Sequence, residues 1–211
     1  SGIEFAWLTG GGSDNTIDAR DFSSGPVTLD GAAGNDTLLG GAGDDRLVGS
    51  DGVDQVQQQS DDDQVLTDSL LTGLGSDEIE GIEEAQLNGG GGDNLLDANA
   101  FNNGPVTLSG LAGNDTLRGS AGNDSLSGGD GTDLVEQTTD ADQALSNTQL
   151  VGRGTDSLDG VETAHLVGGS GDNVISASTF TLGQVTLDGA AGDDNLTGGS
   201  KDDLIIAGDG D

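Results

Sequence analysis

Aliphatic residues recur along this chain at a spacing that fits neither an amphipathic helix nor a long alternating strand. Leu38, Leu47, Val56 and Val65 stand nine residues apart; Leu117, Leu126 and Val135 repeat the step, as do Leu196 and Ile205. Ala144 is the small member of the second series. The residues between are polar and rich in glycine. One inward aliphatic with polar neighbours describes a strand of about three residues. Closely spaced glycines specify tight turns, because glycine reaches left-handed backbone angles cheaply. Turn plus strand takes nine residues, so two such units make a coil of about 18, and successive coils stack at ~4.8 Å. The expected element is a parallel solenoid of short strands.

A longer period encloses the nine. GIEFAWLTGGGSDN from Gly2 returns as GIEEAQLNGGGGDN from Gly81 and as GVETAHLVGGSGDN from Gly160, offset by 79 each time. GPVTLDGAAGNDTL from Gly25 returns as GPVTLSGLAGNDTL from Gly104 and as GQVTLDGAAGDDNL from Gly183. The chain therefore divides into super-repeats 1–79 and 80–158 and a partial third, 159–211, read as one continuous solenoid. It stops inside a repeat, and we expect it to be a fragment of a longer array. Inward aliphatics near Ile17, Val27, Leu38, Leu47, Val56, Val65, Ile79 and Leu87 give eight half-coils per unit. That even number should keep equivalent turns on one side of the rod, about 50 Å long in all. Phe22, Phe101 and Phe180 are expected to tuck in over the roll at longer turns.

Composition then raises a conflict. Of 211 residues, 39 are Asp or Glu and 5 are Lys or Arg, a net charge of −34, with aromatics at 2%. High charge with low hydrophobicity is the signature of disorder, yet the ordered nine-residue comb argues for a fold held by something besides a wide apolar core. The same numbers exclude much else. There is no Cys for disulfides or thiolate metal sites. A phosphate backbone would be repelled, which argues against nucleic acid, and no apolar run approaches a membrane span.

The comb itself carries the candidate chemistry. Aspartates stand two residues before the aliphatics, at Asp36, Asp45, Asp54 and Asp63, at Asp115, Asp124, Asp133 and Asp142, and at Asp194 and Asp203. Glycines precede them, as in GGAGDD from Gly40, GSAGND from Gly119 and GGDGTD from Gly128. In an 18-residue coil Asp36 should lie over Asp54, and Asp45 over Asp63. Stacked carboxylates repel unless a cation lies between them, and calcium suits such a place because it takes six to eight oxygens in irregular geometry. Zinc lacks its usual ligands, and magnesium demands stricter geometry.

These nonads resemble the hemolysin-type RTX repeat, GGxGxDxUx with U a large aliphatic. The resemblance implies an all-β fold, a calcium-bound parallel β-roll, in which each ion bridges two same-side turns through the motif Asp and turn backbone oxygens. Asp51 and Asp130, at the third motif position, could add carboxylates. GLGSDEI from Gly73 and GRGTDSL from Gly152 are weaker copies that place Asp77 and Asp156 at the Asp position, whereas Asn15, Asn94 and Asn173 replace it elsewhere. Asp14, Asp18, Asp61, Asp62 and Asp68 read as surface charge.

No catalytic pattern emerges. His165 is the one histidine, and Trp7 and Gln86 occupy its equivalent positions. GxSxG and HExxH are absent. The resemblance implies a structural, calcium-binding repeat region of a secreted or cell-surface bacterial protein, exported unfolded by type I secretion and folded by calcium outside. It would serve as stalk, adhesin or coat element rather than as an enzyme. The alternatives are a folding and secretion module of an RTX enzyme or toxin, or a self-assembling filament. Expected partners are calcium ions, with further copies of the chain or a surface ligand, and neither nucleic acid nor membrane insertion.

Overall fold

The computed structural model describes residues 2–210, and among them there are strands and turns but no helix. The first period supplies β1 (Ala6–Thr9), β2 (Thr16–Asp18), β3 (Val27–Asp30), β4 (Thr37–Leu39), β5 (Arg46–Val48), β6 (Gln55–Gln59), β7 (Gln64–Thr67), β8 (Leu70–Thr72) and β9 (Ser76–Glu80). The second supplies β10 (Glu84–Asn88), β11 (Leu95–Ala100), β12 (Val106–Ala112), β13 (Thr116–Arg118), β14 (Ser125–Asp130), β15 (Leu134–Thr138), β16 (Gln143–Ser146), β17 (Gln149–Val151) and β18 (Thr155–Asp159). The third adds β19 (Thr163–Val167), β20 (Val174–Thr179), β21 (Val185–Asp188), β22 (Asn195–Thr197) and β23 (Leu204–Ile206).

The chain winds between two facing sheets, one of 12 strands and one of 11. Parallel rungs keep like residues in register: Leu38 pairs with Val56 and Leu29 with Leu47, which in turn pairs with Ile79. Their side chains meet in a narrow buried file between the sheets. Phe101 and Phe180 are fully buried, as expected, each at a turn where its N–H donates to the carbonyl of the alanine three residues back. Phe22 makes the same turn and packs against the core, but stays half-buried.

The expected coil count fails at one place in each period. β7, β8 and β9 form an antiparallel meander inside the 12-stranded sheet, where strand order runs β5-β9-β8-β7-β11. Val65 and Ile79 therefore share one sheet instead of lying on successive half-coils. β7 is also one residue out of the nine-residue frame. Gln64 and Leu66 point inward and Val65 does not, because a single-residue shift exchanges the faces of a strand. In the second period Gln143 and Leu145 are likewise the inward pair.

Two local devices account for the departure. A pair of buried glutamines bond one another, Gln58 Nε2 donating to Gln64 Oε1 at 3.1 Å, and Gln64 Nε2 donates on to the Asn88 carbonyl at 2.7 Å. Gln137, Gln143 and the Val167 carbonyl repeat this arrangement. The chain then reverses over Asp68 and Ser69, where the Thr67 hydroxyl accepts the Ser69 and Leu70 N–H groups.

With the meander counted as one visit to its sheet, a period contains seven half-turns. Seven is odd, so each super-repeat begins on the opposite sheet from its predecessor: β1 lies in the 12-stranded sheet and its equivalent β10 in the other. This overturns the expectation that equivalent turns stay on one side. The second meander, β16-β17-β18, accordingly falls in the 11-stranded sheet.

Replacing Gln58 by Ala should leave the Gln64 amide short of its buried partner and cost about 2 kcal/mol of folded-state stability. Gln57→Ala, at a half-buried outward position, should be near neutral. Thermal melts of the two variants in calcium check this.

Candidate metal centres

The turns between strands line up in two rows along the edges of the roll. In the first super-repeat, turns 10–15, 31–36, 49–54 and 81–83 stack on one edge. Within that stack the Asn15 N–H donates to Asp36 Oδ1 at 2.7 Å, Asp36 N–H to Asp54 Oδ1 at 2.7 Å, and Asp54 N–H to Glu83 Oε2 at 3.0 Å. The second super-repeat builds the same ladder from Asn94, Asp115, Asp133 and Glu162, with donor–acceptor distances of 2.7, 2.7 and 3.0 Å. It stands on the opposite edge, because of the odd half-turn count. Asn173 and Asp194 begin a third, at 2.8 Å.

The expected stacking of Asp36 over Asp54 is therefore present. That of Asp45 over Asp63 is not, since the meander intervenes. Asp45 N–H donates instead to Asp77 Oδ1 at 2.9 Å, and Asp124 N–H to Asp156 Oδ1 at 3.0 Å. Asp77 and Asp156, weak copies in sequence, are thus buried members of a second type of stack. Asp63 and Asp142 are exposed and accept the Leu95 and Val174 N–H groups, at 2.9 and 2.8 Å. Asp51 and Asp130 have exposed side chains, and it is their carbonyls that bind the chain, accepting from Gly34 and Gly113. Asp203 accepts from Val185 at 3.0 Å.

The two types of stack differ in how the carboxylates are satisfied. Asp45 has both oxygens engaged, Oδ1 by Val27 N–H at 2.8 Å and Oδ2 by Gly41 N–H at 2.7 Å. Asp124 does the same with Val106 and Ser120. In the Asn–Asp–Asp–Glu ladders the second oxygen is bare. Oδ2 of Asp36, Asp54, Asp115, Asp133 and Asp194 is buried without a hydrogen-bond partner. An unsatisfied buried carboxylate oxygen is costly, more so than a neutral one. Burial pushes the carboxyls of Asp54, Asp115 and Asp133 above the usual range, against the lowering effect of the backbone N–H each accepts.

Backbone oxygens share these clefts. A Cβ on Gly31 would collide with Asp36 Oδ2 and the Gly49 carbonyl oxygen, and one on Gly49 with Asp54 Oδ2 and the Gly81 carbonyl. Gly110 stands in this relation to Asp115 Oδ2 and the Gly128 carbonyl, and Gly189 to Asp194 Oδ2 and the Ala207 carbonyl. Among the described residues no three His, Cys, Asp or Glu side chains converge as a metal site, so a cation held here would need main-chain oxygens as well. All the donors named are oxygens. Hard oxygen donors of mixed carboxylate and carbonyl character fit calcium and not zinc.

Among protein-family models, the one described as the RTX calcium-binding nonapeptide repeat (4 copies) matches residues 28–56, 107–135 and 188–211. These three segments carry RTX calcium-binding nonapeptide repeats. No curated protein matches it significantly. The RTX segments contain Asp36, Asp45 and Asp54 and their equivalents, and end at Val56 and Val135, before Asp63 and Asp142. The boundary coincides with the break that the meander introduces. Asp77 and Asp156, also outside, join the stacks only through tertiary pairing.

Sequence reasoning missed more of the edge. Asp14 and Asp93, one position before the ladder Asn, accept the Asn35 and Asn114 N–H groups at 2.8 and 2.7 Å, and Asn35 and Asn114 pass the pattern on to Val53 and Thr132. Asp61 accepts from both Gly91 and Gly92. These side chains are exposed, as the surface-charge reading expected of Asp14 and Asp61, and they also tie turns together. Glu83 and Glu162 were also passed over, although GIE and GVE recur at the 79-residue offset. His165 lies on the outer face, its Nδ1 3.3 Å from Glu136 Oε1, beside an Arg118 that also pairs with Asp97.

Two outcomes are expected. Asp115→Asn can still accept the Asn94 N–H but loses its charge, so it should weaken calcium binding by calorimetry. Asp62→Asn, at an exposed position, should not. The second concerns pH. Burial raises Asp77 and Asp156 from 3.8 to about 6. In metal-free protein the folded state then holds these protons more tightly than the unfolded chain, so their stabilisation is complete below about pH 4 and lost as pH rises through 6. Circular dichroism of the divalent-free chain should show more β structure at pH 5 than at pH 7.5.

Proposed function

We propose that this RTX repeat region is a calcium-folded stalk, spacer or coat element of a secreted or cell-surface protein. The observation that carries the reading is the set of five buried Asp Oδ2 atoms with no protein partner. Without cations the ladders hold adjacent carboxylates in a chain of net charge −34, and the slender apolar file offers little to oppose that repulsion. Calcium bound between turns removes the repulsion and links metal binding to folding.

Low intracellular calcium would keep such a chain unfolded for export, and millimolar calcium outside would fold it. The three segments 1–79, 80–158 and 159–211 act as one continuous solenoid; support comes from β10, which pairs with β6 before it and β12 after it across the first boundary. Among the described residues no helix is long and apolar enough to cross a membrane. A structural role also agrees with the nature of the RTX repeat, which is a calcium-binding structural unit.

Far-UV circular dichroism during a calcium titration is the test. At pH 7.5 the chain should be disordered in chelator and β-rich in millimolar calcium. A fully formed β spectrum in excess chelator would overturn the proposal.

A further inference from the structure

Each carboxylate ladder ends on a residue that is not part of a nonapeptide. Glu83 follows Asp54 in the first ladder and Glu162 follows Asp133 in the second, each at a sequence separation of 29. Both glutamates lie beyond the matched RTX segments. Their turns, 81–83 and 160–162, have three residues each, half the length of turns 31–36 and 49–54 in the first ladder. Gly81 and Gly160 take φ of 62° and 57°, and Ile82 and Val161 are buried as anchors. So short a turn carries no residue at the ladder Asp position, and the longer Glu side chain reaches the same place from the turn's third residue.

The cradle beneath is complete in every other respect. Asp54 and Asp133 are each 0% exposed, with Oδ2 unpartnered. The Gly81 carbonyl oxygen crowds the Cβ position of Gly49 together with Asp54 Oδ2, and the Gly160 carbonyl crowds Gly128 together with Asp133 Oδ2. Glu83 and Glu84 N–H both donate to the Asp54 carbonyl, at 3.0 and 2.9 Å, and Glu162 and Thr163 N–H to that of Asp133, at 3.2 and 2.8 Å. Two copies of the same constellation, built on opposite edges, make an accident of one turn a poor explanation.

We propose that Glu83 and Glu162 are closing carboxylates, each completing a calcium site with the orphan oxygen of Asp54 or Asp133 and the carbonyl of Gly81 or Gly160. Each complete ladder then holds two orphan-oxygen cradles, at Asp36 and Asp54 or at Asp115 and Asp133, of which the second is made half by a nonapeptide and half by the start of the next period. This rests on the calcium reading above but goes beyond the nonapeptide motif.

The test is the double substitution Glu83→Gln and Glu162→Gln, which keeps an oxygen to accept the Asp54 and Asp133 N–H groups and removes only charge. Native mass spectrometry and calcium titration calorimetry count the ions. The double variant should fold in millimolar calcium and lose two ions relative to the unaltered chain, or bind two of them at least tenfold more weakly. Glu84→Gln, on the adjacent strand, should lose none. If the double variant fails to fold, the single variants are counted instead, and each should lose one. An unchanged count and affinity overturns the proposal, as does a uniform weakening of every site, which would mark the glutamates as hydrogen-bond caps alone. Absence of calcium binding by the unaltered chain is a different result, and sinks the parent reading.

Discussion

The structure depends on carboxylates held one above another at the spacing of a parallel β-sheet. Backbone pairing sets that spacing and the turns leave no slack to relax it. Each ladder Asp spends one oxygen on the N–H of the rung before it and leaves the other buried and bare. Repulsion between rungs, desolvation and an orphan acceptor all press the same way, and a divalent cation in the cleft would relieve all three. Asp45 and Asp124 show the contrast: backbone N–H groups engage both of their oxygens, so neither carboxylate is left with a bare one.

The meanders decide how those ladders are distributed. By placing three strands in one sheet they make the half-turn count odd, and the Asn–Asp–Asp–Glu ladder changes edge with every super-repeat. They also lengthen the two sheets in turn. Three strands separate β5 from β11 while only β10 separates β6 from β12, and the inequality reverses where β16, β17 and β18 face β19. The excess of two strands, ~10 Å of sheet width, therefore alternates sides. A buried glutamine pair at each meander fixes the place. Polar groups in so thin a core are tolerable because each finds its partner.

The nine-residue comb and the 79-residue offset were enough to read an all-β parallel roll, its inward aliphatics and the stacking of Asp36 over Asp54, because those contacts join neighbouring coils of regular length. Where the coil is irregular, counting failed. Asp63 continues the comb without a break in sequence, yet the Gln58–Gln64 bond and the reversal at Asp68 and Ser69 carry it away from Asp45, and Asp77, fourteen residues further on, takes its place.

Sequence by itself thus determined the local unit: glycine turns, one inward aliphatic, one carboxylate per nonad, and a charge that no protein-only core would balance. Those are properties of single residues and their immediate neighbours. Tertiary structure decided which carboxylates meet, which keep a bare oxygen, and that Glu83 and Glu162 stand at the ladder ends. Such pairings depend on how many times the chain crosses between sheets. Crossing number is set by an inserted hairpin whose signal is two buried glutamines, indistinguishable in sequence from the outward-facing glutamines beside them.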